Sequence, residues 1–189
     1  LTTTAIGGLT ATQVADLTLD QLGALATTQI AALAAEAIRG LTETELGALT
    51  LTQLGALTTT GVAALTAGQV EDLGTVQLGR LTTTQIAALS TSGIAGLTTT
   101  QIGALGTSQV AALAVSELRA LTETQIGALT AEQIDHLSTA RIAGLAGTQV
   151  AAFSATQFGS LSTTQISAIS ATAIAALTTE RIAGLTATQ

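Results

Sequence analysis

Seven amino acids never occur in the chain: Lys, Asn, Cys, Met, Pro, Trp and Tyr. Without cysteine there is no disulfide framework and no thiolate metal site, and the redox compartment leaves no mark. Without lysine, and with five arginines against twelve acids for a net charge of -7, nothing forms the basic stripe that a phosphate backbone needs, so nucleic acid is not an expected partner. Charged residues make up 9% of the chain. Thr, Gln and Ser interrupt every apolar cluster, so no run approaches the roughly 18 residues of a membrane-spanning helix and no span is expected.

The residues that remain are 47% hydrophobic, too apolar for a disordered low-complexity tract. Leucine recurs every eight residues from Leu1, Leu9 and Leu17 to Leu185, replaced only by Phe153 and Ile169. A second large apolar position runs Ile6, Val14, Leu22, Ile30, Ile38, Leu46 and on to Ile182, with no insertion or deletion. The unit is L-T-x-T-Q-I-(A/G)-(A/G), numbered 1 to 8 below. It predicts one repeat array over residues 1–189, about 24 octapeptides with no internal domain boundary, and a segment of something longer.

The large apolar residues are spaced alternately by five and three, which puts Leu81 and Ile86 on opposite faces of a flat strand. One straight α-helix fails too, because equivalent leucines would drift by about 80° per repeat. The unit does spell a helix start. With Thr82 as N-cap, Gln85 falls at N3 to form a capping box, while Leu81 at N′ and Ile86 at N4 form a hydrophobic staple. Glu36, Glu43 and Glu132 sit in first turns, where the helix dipole favours acids.

The expected fold is therefore all-α, a solenoid or superhelix of short helices, one per eight-residue repeat, with a bend at each Leu-Thr. Ordering one unit loses more backbone entropy than two buried side chains and a cap return, so successive turns must pack on one another. About three or four repeats per turn would place Leu and Ile at a dry axis, small residues of positions 7 and 8 between turns, and Thr, Ser and Gln at the surface. The competing fold is a β-solenoid with two octapeptides per coil, for which Ala, Leu and Gln are poor choices. The repeat Leu33–Gly40 separates causes of the bend: it has Ala34 at the cap and Ala37 at N3. If cap side chains make the bend, the chain should be straighter there; an unchanged bend would assign it to staple and packing.

Reactive groups are sparse. His136 lies near Asp135 and Glu132, but one histidine in so repetitive a chain reads as a surface substitution. The hydroxyls have no positioned base, and the acid pairs Glu71-Asp72 and Glu43 with Glu45 are not repeated in adjacent units. Gly7-Gly8 is a repeat variant rather than a phosphate loop, and Phe153 and Phe158 stand in core positions. No catalytic, cofactor-binding or metal-binding residue is assigned, no cofactor is expected, and the chain is not expected to be an enzyme.

The stretches LTTTQIAAL at 81–89 and LTETQIGAL at 121–129 resemble octapeptide tracts of very large, repetitive bacterial secreted and cell-surface proteins, and the likeness covers the whole chain. The resemblance implies an extracellular filament, sheath or adhesin stalk at the cell surface. Self-association with identical chains or further repeats, and glycans on Thr or Ser, are the partners that follow. The alternative is a Thr-rich solenoid whose surface binds ice or carbohydrate.

Overall fold

The computed structural model describes residues 1–189, and its only regular secondary structure is a succession of twenty-three short α-helices, from α1 (Thr3–Gly7) to α23 (Thr179–Ala183). Each occupies one octapeptide and is four to six residues long. The helices start where the capping pattern places them. In α11 (Thr83–Ile86) the Thr82 hydroxyl accepts the Gln85 N–H at 3.2 Å, and Gln85 Oε1 accepts the Thr82 N–H at 2.8 Å, so two backbone donors orphaned at a helix start are satisfied reciprocally. Each helix ends on a tighter turn, as where the Leu89 N–H donates to the Ile86 carbonyl at 3.1 Å. The extended cap residue then swings the chain into the next helix.

Ala34 settles what makes that corner. Its φ and ψ are -69° and 156°, against -66° and 160° at Thr82, although it has no side chain with which to cap. Ala26, Gly74, Gly106, Ala114 and Ala146 hold the same geometry without a side-chain cap bond. The bend therefore rests on the Leu–Ile staple and on packing, and the hydroxyl adds a hydrogen bond to a corner already formed. No residue has positive φ, so the corners need no left-handed glycine.

The chain divides into two units, Leu1–Leu97 and Thr98–Gln189. In the first, α2 (Ala11–Ala15) packs on α5 (Ala35–Gly40), α5 on α8 (Thr59–Ala64), and α9 (Ala67–Glu71) on α12 (Thr91–Ala95). In the second, α15 (Val115–Ala120) packs on α18 (Thr139–Gly144), α18 on α21 (Thr163–Ala168), and α19 (Gly147–Ala151) on α22 (Ala171–Ala175). Each helix thus meets the one three repeats on, and side-chain bonds described below reach four repeats back, so a coil takes between three and four repeats.

Leu and Ile fill the centre of each unit. Ile38, Leu46, Ile86 and Ile134 are wholly buried, and Leu41, Leu57, Leu121 and Leu137 are 3% exposed. The margins show which way each row packs. In the first coil Ile6, Val14, Leu22 and Ile30 are buried, whereas Leu1 is 82% exposed and Leu9, Leu17 and Leu25 are half-buried. In the last coil the pattern reverses: Leu161 and Ile169 are buried, while Ile166 and Ile174 are half-buried and Ile182 is exposed. The position-1 row therefore seals against the preceding coil and the position-6 row against the following one.

Positions 7 and 8, expected to be small for the same reason, differ. A Cβ on Gly40 would fall 2.2 Å from the Ala11 carbonyl oxygen, one on Gly96 2.3 Å from that of Ala67, and one on Gly144 2.3 Å from Val115 Cγ1. All three stand at position 8, where helices of successive coils cross. At position 7, Gly23, Gly47, Gly55, Gly79 and Gly159 would meet nothing within 4 Å. Close approach dictates glycine at particular position-8 crossings, and most position-7 glycines face open space.

Candidate functional site

The most organised chemistry in the molecule is a ladder of glutamine side chains joining coil to coil. Glutamine, expected at the surface with Thr and Ser, is instead buried: Gln53, Gln85, Gln133, Gln149 and Gln165 are 1–5% exposed. The helix start turns the position-5 side chain back along the axis, where Oε1 caps its own helix. The amide nitrogen is left pointing into the preceding coil.

Gln53 Nε2 donates to the carbonyls of Leu22 and Leu25 at 3.1 and 3.0 Å. Gln69 reaches Ile38 and Leu41 at 2.9 and 2.8 Å, Gln133 reaches Ile102 and Leu105 at 2.9 and 2.7 Å, and Gln149 reaches Leu118 and Leu121 at 2.9 and 2.8 Å. The acceptors lie 31 and 28 residues back in every case. One is the last-turn carbonyl of a helix. The other belongs to a corner leucine, beyond the helix and without a backbone donor. The first already accepts the N–H of the next corner leucine, as Ile38 does from Leu41 at 3.2 Å, whereas the second would be costly to bury unbonded. One glutamine thus closes a helix start and a corner in the preceding coil. Where Arg141 replaces it, Nε donates to the Leu113 carbonyl at 2.6 Å, preserving the contact with a different donor.

The groups weighed for chemistry in the sequence are not drawn together. His136 is exposed, with Nδ1 2.8 Å from the Glu132 carbonyl oxygen. Glu71 and Asp72 are exposed, and of Glu43 and Glu45 the first is exposed and the second buried. Phe153 and Phe158 are 0% and 3% exposed, so they enlarge the core and form no platform. The cap hydroxyls accept from backbone N–H groups, as at Thr82 and Thr98, while Thr83, Thr84, Thr99 and Thr100 are exposed on the outer face. No helix is long and apolar enough to cross a membrane.

These features define a helical repeat protein. The family model described as the ALTTAQ repeat matches residues 83–115, a stretch of about four octapeptides. Its six letters correspond in this chain to position 8 of one repeat through position 5 of the next, as in Gly96-Leu97-Thr98-Thr99-Thr100-Gln101, the segment that holds corner, cap and ladder residue. No curated protein matches the chain.

Proposed function

We propose that this repeat protein is a non-catalytic structural element of the bacterial exterior, the shaft of a filament, sheath or adhesin stalk. The observation that carries the reading is the ladder: every glutamine rung uses the same register, so the fold continues by adding repeats and needs no other partner to extend. Low charge and the absence of lysine suit dense packing of shafts, and the likeness to octapeptide tracts of large secreted proteins supplies the setting. Identical chains or further repeats are the partners in this reading, and the exposed Thr hydroxyls are where glycans would be attached. Negative-stain imaging of purified protein tests it: long fibres of uniform width are expected, and particles that stay short and monomeric at high concentration would remove self-association. Protease treatment of intact source cells tests the location, since an external shaft is degraded while cytoplasmic markers survive.

A second reading, a surface that binds ice or carbohydrate, draws on the outward threonines of positions 3 and 4. Thermal hysteresis or retention on a polysaccharide resin is its measurement, and absence of both would dismiss it.

A further inference from the structure

In the sixth repeat the ladder keeps its geometry and changes its chemistry. Glu45 stands where glutamine stands elsewhere, at N3 of α6 (Glu43–Ala48), and is 4% exposed. Its Oε2 does the work of the amide oxygen, accepting the Thr42 N–H at 2.7 Å and the Thr42 hydroxyl at 2.8 Å. Its Oε1 stands in the place of the amide nitrogen and is buried with no hydrogen-bond partner.

The glutamine rungs show what this atom faces. Gln53 Nε2 donates to the carbonyls of Gly23 and Leu25, 30 and 28 residues back, at 3.3 and 3.0 Å. Gln85 reaches Gly55 and Leu57 at 3.1 and 2.8 Å, and Gln165 reaches Asp135 and Leu137 at 2.9 and 2.8 Å. The same register sets Glu45 Oε1 against the carbonyls of Ala15 and Leu17, neither of which accepts a backbone N–H. A carboxylate has no N–H to give them, so three oxygens converge with lone pairs toward one another, an arrangement that a positive charge stabilises.

The surroundings favour such a charge. Asp16 lies between Ala15 and Leu17, Asp20 lies on α3 (Leu19–Gly23), which packs against α6, and Glu43 shares α6. On the adjoining α5, Arg39 is exposed and pairs with Glu36 at 3.2 Å. Ala15 and Asp16 are exposed, so the corner is open to solvent on one side while Glu45 closes the other. Glu117, the other glutamate at the rung position, has Ala88 where Glu45 has Asp16. Nowhere do three acidic or histidine side chains gather around one point, so backbone carbonyls must supply much of the coordination. Calcium accepts carboxylate, backbone carbonyl and water together in a flexible shell of about six to eight oxygens, whereas magnesium holds its own water more tightly.

We propose that Glu45 and the Ala15–Leu17 corner form a calcium site that replaces one rung of the ladder. Glu45 Oε1 comes from one coil and the Ala15 and Leu17 carbonyls from the coil before it; Asp16 adds charge on the open side, and water completes the shell. Where glutamine joins coils with its own hydrogens, this junction is joined by an ion from solution, so its cohesion follows the calcium concentration. With so few protein ligands the affinity falls in the weak range of calcium sites, a dissociation constant of about 0.1–1 mM.

The test uses the full chain freed of metal by a chelator and titrated with calcium chloride at one neutral pH and constant ionic strength, followed by calorimetry, thermal melting and carbon NMR of the backbone carbonyls. Wild type should bind one ion in that range, gain a few degrees in Tm as calcium passes the dissociation constant, and shift the Ala15 and Leu17 carbonyl signals. Glu45→Gln, which completes the rung with an amide, should fold, melt at or above calcium-loaded wild type and lose the response. Glu43→Gln, at the exposed neighbouring acid, should keep it. A wild type indifferent to calcium overturns the proposal. A response that E45Q shares, or that magnesium reproduces at the same concentration, would be screening of surface acids and overturns it equally, as would carbonyl shifts confined to other corners.

Discussion

Replacing Gln69 by alanine isolates the contribution of the ladder, because Gln13 provides an internal reference in the same unit. Both side chains accept the N–H of a threonine N-cap, at 3.0 Å from Thr66 and 2.9 Å from Thr10, and both threonines return a bond to the N3 backbone. They differ in what lies behind them: Gln13 is exposed, whereas Gln69 is buried and donates to the Ile38 and Leu41 carbonyls. Gln13→Ala removes one half of a capping box and gains a little helix propensity, a loss of about 0.5 kcal/mol. Gln69→Ala removes the same half-box and strands the Leu41 carbonyl, whose leucine is 3% exposed. An unsatisfied buried acceptor costs about 1–3 kcal/mol, partly offset by side-chain entropy regained. The expected difference between the variants is about 2 kcal/mol. Urea denaturation followed by circular dichroism gives the total, and amide hydrogen exchange over residues 38–46 and 66–70 locates it. Equal losses for the two variants, or unchanged exchange around Leu41, would refute the view that glutamine ties one coil to another.

Gly96→Ala should destabilise by about 1–3 kcal/mol, because its Cβ meets the Ala67 backbone, while Gly47→Ala, with open space around it, should stabilise by about 0.5–1 kcal/mol; melting curves for the pair check both signs. Gly61→Gln should stabilise by about 1 kcal/mol, since a Cβ there meets no atom closer than 3.4 Å and the new amide would reach the Leu33 carbonyl in the ladder register; unchanged or lower stability in urea would argue against it. Phe153→Ala should cost about 3–5 kcal/mol at a fully buried site, whereas Leu1→Ala, at an 82% exposed one, should stay within about 0.5 kcal/mol, again by denaturation.

The period of eight, the helical class and the place of each helix start were legible in the sequence because their causes are local. Thr82, Gln85, Leu81 and Ile86 lie within six residues and act on one another. The inward rows of Leu and Ile were legible for the same reason, since a staple fixes which side of the chain is apolar. The burial of glutamine was not. Its partners lie 28 to 31 residues away, and polarity by itself argues for solvent until the orphan carbonyls of the preceding coil are known. The separate fates of glycine at positions 7 and 8 were hidden likewise, because Gly96 and Gly47 differ only in what another coil brings against them. At Ala34 the sequence left two causes of the corner open, cap side chain or staple and packing, and the unchanged backbone there decides for the second.

The ladder also gives the coil a direction. Glutamine amides always donate toward lower residue numbers and carbonyls always accept from higher ones, so a face rich in donors can mate only with a face rich in acceptors. Two copies brought together by like faces would oppose donor to donor and leucine row to leucine row. Each coil therefore has a front and a back, and a coil added to it must arrive with matching sense.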